Sequence, residues 1–75
     1  MNREYKLPEI LYKLLAEHNM TQRELAEISY CTLNSVYRWL KRKQYPNLYT
    51  LMRISEVFNV SIDYLVYGEE KKDWN

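Results

Sequence analysis

Residues 21–43, TQRELAEISYCTLNSVYRWLKRK, concentrate the side chains with chemistry to offer. Asparagine and arginine can each make paired hydrogen bonds to a base edge, and lysine and arginine neutralise phosphate. The second half of the stretch holds Asn34, Arg38, Lys41, Arg42 and Lys43 and no acid, whereas the first half is net acidic. No Asp or Glu occurs between Glu27 and Glu56, a gap that also contains Arg53. A local positive face is what a phosphate-binding surface needs. An ordinary solvated basic face would carry the same charges, so charge alone does not choose between the two.

Other chemistries find little support. The chain has one His and one Cys, no phosphate-binding loop, no metal-ligand cluster and no nucleophile–base pair, so no enzymatic activity, cofactor or metal is expected. Cys31 is expected to pack in a turn and His18 to lie at the surface. A single cysteine cannot form an internal disulfide, which fits a reducing cytoplasm. Net charge is only +1, so bulk charge gives no argument for nucleic acid. No apolar run reaches the roughly 20 residues that cross a bilayer, and MNREYKLPEI lacks the apolar core of a signal peptide. The apolar faces are needed for a core, which argues against a membrane-surface helix. At 75 residues, 47% of them hydrophobic and 28% charged, the chain reads as one globular domain.

The elements that position these residues follow from periodicity and capping. LPEILYKLLAEHN places Leu7, Ile10, Leu11, Leu14 and Leu15 at helical spacing, with Pro8 in the first turn, and predicts a helix over 8–19. Thr21 and Glu24 form a T-x-x-E capping box that opens a second helix over 22–29. Thr32 caps a third over 33–42, with Val36, Trp39 and Leu40 on its inner face. Pro46 breaks the pattern, and Asn47 caps a fourth helix over 48–58 with Leu48, Leu51, Ile54, Val57 and Phe58 inward. Ser61 caps a last short helix over 62–67, and Gly68 ends it. Residues 1–68 therefore read as an all-α domain and 69–75 as a charged tail. The three-residue break between the second and third helices suits a helix-turn-helix.

With MTQRELAE, then V-x-x-W at Val36 to Trp39, then P-N-L-x-T-L at Pro46 to Leu51, then VSIDYLVYG at Val60 to Gly68, the chain resembles the Cro/repressor (XRE-type) helix-turn-helix family over about residues 8–68. The resemblance implies a compact five-helix, lambda-repressor-like domain that binds double-stranded DNA, as a homodimer on a pseudo-palindrome, in the cytoplasm of a bacterium or of a phage-infected host. It departs from the family at three places. Tyr30 stands where Gly is common in the turn, and a left-handed tyrosine costs on the order of 1 kcal/mol, which predicts a slightly different turn. Arg42 stands where Gly often follows the third helix. Leu15 and Leu40 occupy positions where many members pair an Arg with a Glu, an exchange of ions for apolar groups that a core accepts.

The resemblance places the N-terminal part of the third helix in the major groove. Leu33, Asn34, Tyr37 and Arg38 then face bases. Side-chain chemistry suggests adenine for Asn34, guanine for Arg38 and a thymine methyl for Leu33. Gln22, Thr32, Ser35, Lys41, Arg42, Lys43, Tyr45 and Asn47 would hold phosphates. Competing readings put Tyr37 over the turn, Leu33 on a protein interface, and Arg42 against Glu17 or Glu24. Trp39 is expected in the core. Tyr49, Tyr64, Tyr67 and Trp74 offer a surface for a dimer or other protein partner. The chain is expected to be a sequence-specific transcriptional regulator, a Cro-like repressor or controller. The alternative is a protein-interaction module, such as an antirepressor, antitoxin or phage-switch modulator, that binds another repressor-type protein.

Overall fold

The computed structural model describes residues 4–69. Among them are five helices in the order α1 Leu7–Glu17, α2 Gln22–Ile28, α3 Leu33–Leu40, α4 Leu48–Phe58 and α5 Ile62–Tyr67. Four begin with local caps. The Thr21 hydroxyl accepts from the Glu24 amide and the Glu24 side chain accepts from the Thr21 amide, completing the capping box. Thr32, Asn47 and Ser61 each accept from the amide three residues on. α1 starts without a side-chain cap, with Pro8 in its first turn.

Helix ends depart from the sequence pattern. α1 stops at Glu17, α2 at Ile28 and α3 at Leu40, each one or two residues short of the expected end. After each, a non-glycine residue takes the left-handed conformation: Asn19 at φ 52°, Tyr30 at φ 60° and Arg42 at φ 61°. The turn with Tyr30 therefore keeps the geometry that glycine would favour, and the tyrosine bears the backbone cost.

The core gathers Leu7, Ile10, Leu11, Leu14 and Leu15 of α1, Leu25 and Ala26 of α2, Val36, Trp39 and Leu40 of α3, Ile54 and Phe58 of α4, and Leu65 of α5. α1 packs on α3 and α5, α2 on α3, and α4 on α5. Leu15 and Leu40 are both buried, so the α1–α3 contact is apolar at the positions where the resemblance leads one to look for an ion pair. Leu48, expected inward, is instead 62% exposed. It is the first residue of α4, one turn ahead of the part of the helix that reaches the core, and Leu51 and Val57 are only half-buried. His18 is exposed at the α1 C-cap, its ring set edge-on 4.9 Å from that of Phe58.

Two polar ties fix the frame. The Lys6 amide donates to the Val66 carbonyl at 2.6 Å, joining the segment before α1 to α5. The Arg53 Nε of α4 donates to the Ile28 carbonyl at 2.7 Å, and its guanidinium sits 4.7 Å from the Tyr30 ring centroid. α4 thus braces the turn between α2 and α3.

Candidate nucleic-acid interface

α3 is divided sharply by face. Val36, Trp39 and Leu40 are buried, whereas Leu33, Asn34, Tyr37 and Arg38 are exposed. At 100° per residue these four exposed positions fall within about 140° of the helix surface. Leu33 lies at the edge of this strip, 37% exposed, and Tyr37 is 52% exposed. Lys41 Nζ lies 5.4 Å from the Tyr37 ring centroid, so cation and ring share one patch beyond the end of the helix. The structure brings the four candidate base readers onto one outer face, and neither the helix nor its neighbours cover it.

The candidate phosphate ligands divide into groups. Gln22 is the first residue of α2 and half-buried. The Thr32 hydroxyl accepts from the Ser35 amide and donates to the Ser35 hydroxyl, both at 3.0 Å, so its capping duty occupies it. Ser35 is half-buried and retains its own hydroxyl proton to give. Lys41, Lys43, Tyr45 and Asn47 are all exposed. The Asn47 side-chain oxygen accepts from the Thr50 amide at 2.9 Å, and its side-chain NH2 remains a donor. A cavity of about 190 Å³ lies behind this loop, lined by Cys31, Ser35, Trp39 and residues 44–47 with Thr50. Cys31 is half-buried, its thiol donating to the Ser29 carbonyl, as a cysteine packed in the turn would.

Arg42 is different from the other cations. Its Nη2 contacts both oxygens of Glu9 at 2.8 and 2.7 Å, and its Nη1 donates to the Tyr5 carbonyl at 3.3 Å. Its guanidinium also lies 5.7 Å from the Tyr5 ring, whose edge meets Tyr45 at 5.0 Å. The partner is Glu9 of α1, not Glu17 or Glu24. Sequence reading gave no sign of this, because the pairing depends on how α1 crosses the end of α3. Glu9's own backbone amide and then the Arg42 guanidinium hold its carboxyl below the usual glutamate range. Burial, with Tyr45 alongside, raises the Tyr5 phenol above its usual value.

The tyrosines expected at a protein interface separate as well. Tyr49 is 82% exposed. Tyr64 and Tyr67 are half-buried, and the Tyr64 hydroxyl accepts from Lys13 Nζ at 3.1 Å. Trp74 lies outside the described residues. Among the described residues no group of three or more His, Cys, Asp or Glu side chains could hold a metal ion, and no helix is long and apolar enough to cross a membrane.

Two short helices joined at a left-handed residue, the second with a bare polar face and both set in a five-helix bundle, define a helix-turn-helix domain of the Cro/repressor (XRE) type. The chain belongs to the helix-turn-helix family, whose model matches residues 11–65. It is 42% identical over 62 residues to the HTH-type transcriptional activator BcrR of Enterococcus faecalis, a match covering 83% of this chain and 30% of that protein. The chain thus spans less than a third of that relative's length. A transcriptional regulator from Listeria innocua superposes with a TM-score of 0.80 at 28% identity, over 96% of this chain and 66% of that one. The P22 c2 repressor in complex with a synthetic operator superposes at 0.77 with 21% identity, over 84% of this chain and 96% of that one, a likeness of fold.

Proposed function

We propose that this domain binds operator DNA sequence-specifically and regulates transcription, with α3 in the major groove and two copies on a pseudo-palindrome. One observation carries the reading: the outer face of α3 presents Asn34 and Arg38 bare to solvent while its inner face is core. On this reading Asn34 and Arg38 are the principal base readers, with Leu33 and Tyr37 beside them. Lys41, Lys43, Tyr45, Asn47, Gln22 and Ser35 hold the backbone. Thr32 serves first as the α3 cap, and Arg42 contributes to phosphate binding only if it leaves Glu9. The domain acts as a binder and not as a catalyst, in the cytoplasm of a bacterium or of an infected host.

The test is binding of the purified chain to its own upstream DNA across a salt series, beside Arg38→Ala. Specific binding that weakens steeply with salt is expected, and Arg38→Ala should lose about 1–3 kcal/mol of discrimination at one base position. Binding that is indifferent to sequence would end this reading. A second reading, a module that docks on another protein, draws on the exposed Leu48, Tyr49 and Met52 of α4. It would be favoured if Leu48→Ala and Tyr49→Ala impaired capture of a protein partner while Arg38→Ala and Asn34→Ala left DNA binding unchanged.

A further inference from the structure

We propose that the cavity behind the α3–α4 loop takes a small organic acid, and that its occupancy weakens the hold on operator DNA. The first part stands on the geometry of the cavity, and the second rests on the operator reading above. The cavity is bounded by the turn before α3, by α3 itself, by residues 44–47 and by the first turn of α4. It therefore touches every element that frames the outer strip of α3. At about 190 Å³ it is smaller than the roughly 300–1,000 Å³ of a drug-sized site and several times the roughly 30 Å³ of a water molecule. Its occupant is a small molecule.

The lining identifies the class. Trp39 is 2% exposed, and its Nε1 is buried without a hydrogen-bond partner. An indole N–H can only donate, and a buried donor left unpaired is costly. The Ser35 oxygen already accepts from the Thr32 hydroxyl, so Ser35 has its proton to offer. The Asn47 oxygen already accepts from the Thr50 amide, so Asn47 has its NH2 to offer. The Thr50 hydroxyl lies 3.8 Å from the Cys31 sulfur, a weak partner. No Asp or Glu lines the cavity, and none occurs from residue 28 to 55, where Lys41 and Lys43 add positive field. Several donors in a positive field suit a carboxylate. The rings of Trp39, Tyr45 and Pro46 supply an apolar wall for a short apolar body. A phosphate of the duplex has the same oxygen chemistry, but it is fixed in a helical backbone and stops at the exposed edge of the loop. A free acid enters. Once inside, it draws on Ser35 and Asn47, donors that the operator backbone needs.

The experiment is titration of the nitrogen-15-labelled chain, without DNA, with benzoate and propionate at constant ionic strength. The Trp39 indole N–H resonance, assigned with Trp74→Phe, should shift saturably. Benzyl alcohol, which lacks the carboxylate, should bind at least about tenfold more weakly. Ser35→Ala and Thr50→Val should each weaken benzoate binding by about tenfold, the scale of one hydrogen bond to a charged group, while keeping the native dispersion of amide resonances. Saturating benzoate should also weaken operator binding. An indole resonance that neither acid moves saturably overturns the proposal, and so do Ser35→Ala and Thr50→Val chains that bind benzoate as tightly as the native one. An equal response to inorganic phosphate overturns the organic-acid assignment. An indole shift with operator DNA and none with either acid gives the cavity to a duplex phosphate and overturns it too. The titration needs no DNA, so its failure sinks the cavity site alone. A chain that takes up benzoate but is indifferent to DNA sequence sinks the operator reading and leaves the site standing.

Discussion

Tyr30 shows how a single side chain can compensate for the backbone it strains. Its left-handed φ of 60° carries a steric cost of on the order of 1 kcal/mol. Its ring lies under the Arg53 guanidinium, a contact worth about 0.5–1 kcal/mol at an exposed site. Cost and gain nearly cancel, which accounts for a tyrosine in a position that favours glycine. Tyr30→Ala keeps the strain and discards the ring, so urea denaturation should show a loss of about 1 kcal/mol. Tyr30→Gly relieves the strain and loses the ring together, and should fall within about 0.5 kcal/mol of the native chain. A Tyr30→Gly variant as unstable as Tyr30→Ala would show that the ring, and not the backbone, dominates at this position.

Helix starts were legible in the chain because the signals are local. Thr21 with Glu24, and Thr32, Asn47 and Ser61, each act on an amide three residues away. Helix ends were less legible because Asn19, Tyr30 and Arg42 adopt a glycine-like conformation without being glycine. The exposed strip of α3 could be read from periodicity together with the family resemblance. Periodicity finds the apolar face of α4 but not how far along it the neighbours reach, and Leu48 lies beyond them. Least legible was the clasp between α1 and the end of α3, where Glu9 and Arg42 are 33 residues apart. The clasp joins an exposed acid and an exposed base, so a double-mutant cycle with Glu9→Gln and Arg42→Ala should give a coupling below about 1 kcal/mol. Glu9 titrates lower when folded than when unfolded. Its contribution is therefore complete above the ordinary glutamate range and is lost as pH falls through the folded value. Urea midpoints of the native chain and of Glu9→Gln should differ most at neutral pH and converge in acid. A gap that widened on acidification would contradict the assignment.

At the level of the whole molecule, the positive field is divided between outward and inward use. Lys41 and Lys43 face solvent, while Arg42 is turned onto α1. Two copies that neutralise four phosphates through these lysines should show a log–log salt slope of about −4. Glu9→Gln, by releasing Arg42, should raise affinity and move the slope toward about −5. An unchanged slope would mean that Arg42 stays with the protein even without its acid. The hydrogen bond from the Lys6 amide to the Val66 carbonyl has a consequence of another kind. Gly68, at φ 75°, sits so close to α1 that a β-carbon there would meet Ile10 Cδ1 at 3.3 Å. The way into the bundle and the way out of it are therefore side by side. Residue 69 could be tied back to residue 4 by a short flexible linker and the chain reopened at the exposed Asn19, giving a circular permutant with the same packing. Such a permutant should melt cooperatively and keep the native helical signal, and a broad, non-cooperative melt would show that the order of the helices, and not only their contacts, is needed to fold. The same adjacency suits the domain to being carried within a longer polypeptide, since neighbouring sequence would enter and leave at one place on its surface.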